Sequence, residues 1–382
     1  LILLAGGERT RDRKNPSSRR VFAVSMDSRT LFWAMTVVLV AGFAVAPVLF
    51  SHDVYSYVDY ARLGVVHSLN PYLHPPAAAP FDPAYARVTW IGARSAYGPL
   101  FTLATYPLAW LPVWLGVAAL KVTAALSVLG IAVLLARAAP ARGVAPLAAA
   151  AFVALNPLVL IHVVGGAHND ALAMLAAAIG IAAMLSAREA SAGAAFAATF
   201  AIKASAALAA PFALIASARA DKPPTGRKAS YLFAFRPVGG GGRLLLGAGA
   251  AGLALGVAAY AAFGWHWLHG LQLAGGHQHK TSHLAVPVTI ARIGGLDPAA
   301  VRAAAFALYA VLFLYLLIRT WRGADWLRCA GWASLGLLLA TAWLLPWYLI
   351  WALPLVALSR DRPLQLLTVA LTIYQLPARL PL

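Results

Sequence analysis

The sequence predicts an all-α polytopic membrane protein: a bundle of about 11–13 transmembrane helices with a structured first external loop. Three observations carry that expectation. The chain is 62% hydrophobic and only 11% charged, with mean hydropathy +0.76, where soluble domains run nearer a quarter charged. Apolar stretches long enough to span the roughly 30 Å of bilayer hydrocarbon recur from Leu31 onward. No ten-residue alternation of apolar and polar positions appears, so helices rather than a barrel must satisfy the backbone.

The net charge of +18 suggests a nucleic-acid partner until the basic residues are located. They fall in short blocks between spans: Arg9 to Arg29, then 219–243, then Arg319, Arg322 and Arg328, then Arg360 and Arg362. Cytoplasmic loops look like this under the positive-inside rule, so topology is the better reading and no nucleic acid is expected. Residues 1–30 read as a basic cytoplasmic tail, too polar for the apolar core of a signal peptide, ahead of a membrane domain over 31–382. The chain opens on Leu1 rather than Met, which leaves the completeness of its N-terminus open. Arginine and alanine richness suits a GC-rich bacterial genome. The single cysteine, Cys329, argues against a cysteine-based catalytic or metal site.

With the tail inside, a span over 31–50 runs outward and places 51–98 as a first external loop. A surface helix over Asp53–His67 is expected, because Asp53, Tyr57 and Tyr60 share a face at i, i+4, i+7. Asn70-Pro71 stops it, and prolines 75, 76 and 83 make an irregular turn. The apolar run 99–136 breaks at Leu111-Pro112 into two helices. Spans follow at 143–160, 168–187, 190–218 (interrupted by Lys203), 244–263, 298–319, 329–345, 346–358 and 363–380. A cytoplasmic loop at 219–243 and a second external loop at 264–297 separate them. Polar breaks at Asn156-Pro157 and Lys203 are tolerated at membrane depth where they line a cavity.

The ten histidines fall in three segments, 52–74, 162–168 and 266–283, together with Asp53, Asp59, Asp82 and Asp170. Three separated stretches thereby bring titratable groups to one side of the bundle. Asp53 is the leading catalytic candidate. A carboxylate just past a span end is partly desolvated, which raises its pKa toward that of a useful general base. A helix N-cap is the plainer role for it, but a cap leaves the neighbouring His52, Tyr55 and Asp59 unexplained. Asp59 and Arg62, three apart on a helix, are expected to form an ion pair. Asp170 opens an apolar helix, where cap and function are equally supported. His168 and Asn169 beside it can hydrogen-bond a sugar or phosphate. Lys203, deep in an apolar stretch, either snorkels or neutralises a phosphate, and the second is preferred. Arg94 and Arg292 are further phosphate partners. The run His277 to His283, including His279, matches no standard zinc set, so contacts to sugar hydroxyls and phosphate are expected there and no metal or other cofactor. Trp343, Trp347, Tyr348 and Trp351 read most simply as an interfacial aromatic belt, and otherwise as stacking surfaces for a sugar or prenyl chain.

These residues carry a resemblance. His52-Asp53-Val54-Tyr55, Asp59-Tyr60-Ala61-Arg62, Asn70-Pro71-Tyr72, Tyr97-Gly98-Pro99-Leu100, Asn156-Pro157, Gly166-Ala167-His168-Asn169-Asp170 and the run Pro346–Pro354 stand in order over roughly 30–360. The ordered set resembles integral-membrane glycosyltransferases of the GT-C superfamily, above all the polyprenol-phosphate-mannose-dependent mannosyltransferases of actinobacterial lipomannan synthesis. It is also similar to the enzyme that adds the first mannose to GPI anchors. The resemblance implies a GT-C-like bundle, an active site at the outer face of a bacterial plasma membrane, and a lipid-linked sugar phosphate donor. It implies that Asp53 is the catalytic carboxylate of the first external loop, with inverting transfer to a glycolipid or glycan acceptor. His168, Asn169, Asp170, Lys203, Arg94 and Arg292 would then serve the donor. His52, Tyr55, Asp59, Arg62, Tyr97 and His279 would serve the acceptor or support the loop. Where the GPI enzyme has an Asp-x-Asp pattern, this chain has Ser51-His52-Asp53, which disfavours a bound divalent metal. A flippase or transporter of lipid-linked sugar is the alternative reading; the elaborated loop and the lack of an internal repeat count against it.

Overall fold

A computed structural model describes residues 27–220, 240–276 and 280–378, and among these every regular element is helical. In chain order the α-helices are α1 (Ser28–Val45), α2 (Asp53–Val65), α3 (Pro99–Thr105), α4 (Val113–Ala138), α5 (Pro146–Ala154), α6 (Asp170–Leu185), α7 (Glu189–Ile202) and α8 (Ala210–Ala220). They continue with α9 (Gly240–Phe263), α10 (Leu268–Gly276), α11 (Val286–Gly294), α12 (Pro298–Trp321), α13 (Trp326–Ala340), α14 (Leu353–Leu358) and α15 (Arg362–Gln375). Four stretches are long and apolar enough to cross a membrane: Ser28–Val45, Val113–Arg142, Gly240–Leu273 and Pro298–Trp321. Shorter apolar helices, among them α6, α7 and α13, complete the bundle. Most of the basic tail and of the loop at 219–243 lies outside the described residues.

The outward faces identify the solvent. Leu245, Leu246, Leu253 and Val257 of α9 and Leu308, Val311 and Leu314 of α12 are all exposed. An apolar surface of that extent is stable against lipid, not water, so the chain is a membrane protein. The inner core joins Ile131 and Leu135 of α4 to Met174 and Ile181 of α6 and to Leu327 and Leu335 of α13. α7 meets α9 at Gly193 and Gly247, where a Cβ would lie about 2 Å from backbone carbonyl oxygens of the other helix. Lipid tails give no hydrophobic drive between helices, and small residues let backbones approach closely.

Helix ends are made locally. Asp27 caps α1, its carboxylate accepting the Arg29 N–H at 2.9 Å. Beyond α1, the carbonyls of Ala46 and Pro47 accept from Lys121, a lysine only 3% exposed inside α4. That contact satisfies orphan carbonyls and a buried ammonium together. Asn156 accepts the Leu158 N–H at 3.0 Å and starts one π-helical turn, Val159–Val164, before the chain reaches α6.

Candidate active site

The loop after α1 is folded rather than slack. Tyr60 donates to the Ala93 carbonyl at 2.7 Å, and Tyr72 to the Tyr97 carbonyl at 2.9 Å. The Asn70 amide donates to the Phe263 carbonyl at 2.9 Å, tying the loop to the end of α9. Gly98 completes the anchorage, donating its N–H to the Ile202 carbonyl at 3.0 Å. A Cβ at Gly98 would stand 2.1 Å from the Ala201 carbonyl oxygen, so only glycine allows this approach. The contact falls where α7 ends, and Lys203 there is extended (φ −157°, ψ 107°).

A cavity of about 220 Å³ opens beside these elements. Asp53, Trp90, Arg94 and Tyr97 of the loop line one side, with Lys203 at the helix break, Trp267 and Lys280 from the second loop, and Trp343, Trp347, Tyr348 and Trp351 after α13. Asp53 is the first residue of α2; its Oδ1 accepts from the Trp90 indole at 3.1 Å, and its Oδ2 lies 3.9 Å from His168 Nδ1. Desolvation is the largest influence on this carboxyl and raises its pKa above the ordinary range, against the Trp90 hydrogen bond and the Lys203 charge.

Behind Asp53 lies a second acidic centre. Asp170 is fully buried, accepting from the Trp351 indole at 2.6 Å and pairing with Lys203 at 2.8 Å. Lys203 also lies 5.2 Å from the Tyr348 ring centroid and 5.5 Å from that of Trp351. His168 stacks on Trp347, ring centroids 3.8 Å apart. Neither ring nitrogen of His168 and neither amide atom of Asn169 has a hydrogen-bond partner, though both residues are buried.

Several expectations meet the geometry differently. Asp59 does not pair with Arg62: Arg62 Nε binds Asp82 at 2.8 Å, His67 binds the same carboxylate at 2.7 Å, and Asp59 is left buried with both oxygens unpartnered. Arg62 is instead taken up by the Asp82 turn and the Ala109 carbonyl, which accepts from it at 2.9 Å. Arg292 stays out of the cavity and lies against His283, 2.5 Å away. His52 is exposed near Thr89, at 3.4 Å, and Tyr55 packs under Arg87. His279 lies outside the described residues. Trp343, Trp347 and Trp351 are under 10% exposed and face the cavity instead of forming a belt.

Sequence reasoning missed Trp90 and gave Lys280 no role beyond its place in the run 277–283. Lys280 sits 4.7 Å from the Trp90 ring centroid and 5.6 Å from that of Trp343. Ser282 fixes it there, donating its N–H to Ala342 at 2.9 Å and its hydroxyl to Leu344 at 2.7 Å. A lysine two residues before a serine carries no sequence signal for that bridge. Among the described residues neither Lys280 nor Arg94 pairs with a carboxylate, and no three metal-ligating side chains converge.

The described residues thus form an all-helical membrane bundle whose cavity is lined by a desolvated carboxylate, cations and aromatic walls. Residues 11–219 match the family model described as alpha-(1->6)-mannopyranosyltransferase, N-terminal domain. That is more than half of the chain, which therefore belongs to this mannosyltransferase family and is a glycosyltransferase. No curated protein matches it.

Proposed function

We propose that the chain moves mannose from a polyprenyl-phosphate donor to a glycolipid or glycan acceptor, with inversion, at the external face of a bacterial plasma membrane. The observation that carries this reading is Asp53 at the mouth of α2, desolvated and facing Lys203, Lys280 and Arg94 across one cavity. Asp53 takes the proton from an acceptor hydroxyl as that oxygen attacks the anomeric carbon. The bond from that carbon to the phosphate oxygen breaks, its electron pair leaving on the polyprenyl phosphate. Negative charge grows on the phosphate, and fixed cations in a water-poor cleft stabilise it more than water would. Lys203 already shares its charge with Asp170, which leaves Lys280 and Arg94 as the cations available to a phosphate. Aromatic walls suit the apolar faces of a sugar ring. The prenyl tail stays in the bilayer, and no step is routed through a metal.

The reading retains the GT-C relationship, with the actinobacterial lipomannan mannosyltransferases and the first GPI mannosyltransferase as its analogies. Orientation belongs to it as well: N-terminus and 219–243 cytoplasmic, 51–98 and 264–297 external.

Transfer of radiolabelled mannose from polyprenyl-phosphate mannose to membrane acceptors tests it. Asp53→Asn keeps an oxygen for the Trp90 indole and should fold normally, yet lose roughly 10²–10⁴-fold in rate. A folded variant with full activity would remove Asp53 from the chemistry. No transfer by the native chain would reject the donor.

A further inference from the structure

A second recess lies at the other end of the bundle, and sugar transfer does not use it. α13 links the two sites: Asp325 and Arg328 at its start line the recess, while Leu337 and Thr341 at its end line the catalytic cavity. Its 15 residues set them roughly 22 Å apart. The recess encloses about 720 Å³ and gathers Arg142 from beyond α4, Arg328 from α13, and Arg360 and Arg362 from the turn between α14 and α15.

Both acids in it are already engaged. Asp325 pairs with Arg142 and accepts the Leu327 N–H at 3.1 Å, capping α13. Asp361 binds Arg328 at 2.5 Å and the Trp332 indole at 3.0 Å, and accepts the Leu364 N–H at 3.1 Å to cap α15. Arg360 and Arg362 have no carboxylate partner among the described residues, so the recess keeps two uncompensated positive charges. Planar guanidinium forks match the oxygens of a phosphate better than a point charge does.

A second observation says what carries that phosphate. Arg362 heads an exposed stripe on α15, followed by Leu366, Val369 and Ile373 at i+4, i+7 and i+11. That spacing keeps all four on one helix face, with the charge at one end and bare hydrocarbon below it. A free anion would use only the head of such a stripe, whereas an amphiphile uses all of it. We propose that this recess binds the phosphodiester headgroup of an anionic phospholipid, with an acyl chain lying along Leu366, Val369 and Ile373. The arginine blocks of 319–328 and 359–362 place it in the cytoplasmic leaflet under the positive-inside orientation.

Native mass spectrometry of the full chain in neutral detergent, titrated with phosphatidylglycerol, phosphatidylcholine or inorganic phosphate, tests this. Phosphatidylglycerol should bind about tenfold more tightly than phosphatidylcholine. The Arg360→Gln/Arg362→Gln pair should weaken it by roughly tenfold or more. Arg360→Lys/Arg362→Lys, which keeps the charge without the forks, should weaken binding less than the glutamine pair, and Arg322→Gln, an exposed arginine outside the recess, should keep all of it. Should the glutamine pair fail to fold, each single substitution is read instead and should show a smaller loss of the same sign. Equal binding of the two lipids, or undiminished binding by folded glutamine variants, overturns the proposal. Complete displacement of the lipid by millimolar phosphate also overturns it, in favour of a free-anion site.

Discussion

Asp53 shows how one residue is tuned by what surrounds it. Desolvation raises its pKa, and the Trp90 indole is the largest influence pulling the other way. A base with a raised pKa is protonated, and so disabled, at a higher pH than an ordinary carboxylate. Transfer should therefore fall on the acid side, and Trp90→Phe, which removes the indole donor, should move that acid limb to higher pH. A pH–rate profile unchanged by Trp90→Phe would mean that another group sets the limb. Asp59, six residues further along α2, makes a prediction about stability instead. Burial, then the Asp82 charge, raises its pKa from an ordinary 3.8 to about 7. Between those values the folded protein holds a proton that the unfolded chain has released, so stability declines as pH rises through the window and levels off above it. Asp82 lies outside that window: desolvation opposes its charge, but bonds from Arg62, the Ala84 N–H and His67 prevail and hold its pKa below the ordinary value. Asp59→Asn should stabilise the fold at pH 8, by at most on the order of 4 kcal/mol, and change it little at pH 4, as melting midpoints at the two pH values would show. Equal effects at both pH values would place a partner on the Asp59 carboxylate.

Among the elements, the breaks matter more than the spans. The end of α7 at Ile202 turns Lys203 out of the helix toward Asp170 and the cavity, and Gly98 docks the first loop on that break. Gly98→Ala would drive a methyl into the Ala201 carbonyl, which is backbone and cannot swing aside. We expect about 1–3 kcal/mol of destabilisation and a marked loss of transfer. Gly92→Ala, whose Cβ meets open space, should do neither; melting curves and transfer assays on both variants check this. Elements of this kind were legible in the sequence because their causes are local. The helix over Asp53, the break at Leu111-Pro112 and the interruption at Lys203 each follow from spacing, proline, or a charge in an apolar run. The partners of those residues were not legible. Arg62 chose Asp82 over the nearer Asp59, and Lys280 owes its place to a serine bridge reaching 62 residues along the chain. Nothing in local spacing encodes such long-range choices.

At the scale of the whole molecule, hydropathy and charge answer different questions. Neighbouring residues bury half of the Val113–Arg142 span but leave those of α9 and α12 largely bare, so hydropathy finds spans without telling which are enclosed. Charge supplies the missing sense. The catalytic cavity and the arginine recess lie at opposite ends of α13, and the positive-inside rule assigns the recess to the cytoplasm. Under the proposed orientation the cavity opens on the external side, where a lipid-linked donor would meet an acceptor outside the cell. Cysteine labelling can read this directly, because Cys329 is the chain's single cysteine and is buried. In a Cys329→Ser background, Phe81→Cys on the fully exposed loop tip should react with an impermeant maleimide in intact cells. Arg322→Cys, exposed at the far end of α12, should react only after the membrane is opened. The reverse pattern would turn the catalytic cavity toward the cytoplasm and require a donor presented on the inner leaflet. Labelling of both positions in intact cells would mean that the two ends of α13 do not face opposite sides of the bilayer. The transfer chemistry at Asp53 could survive either result, but the first would end its placement outside the cell and the second the placement of the recess inside it.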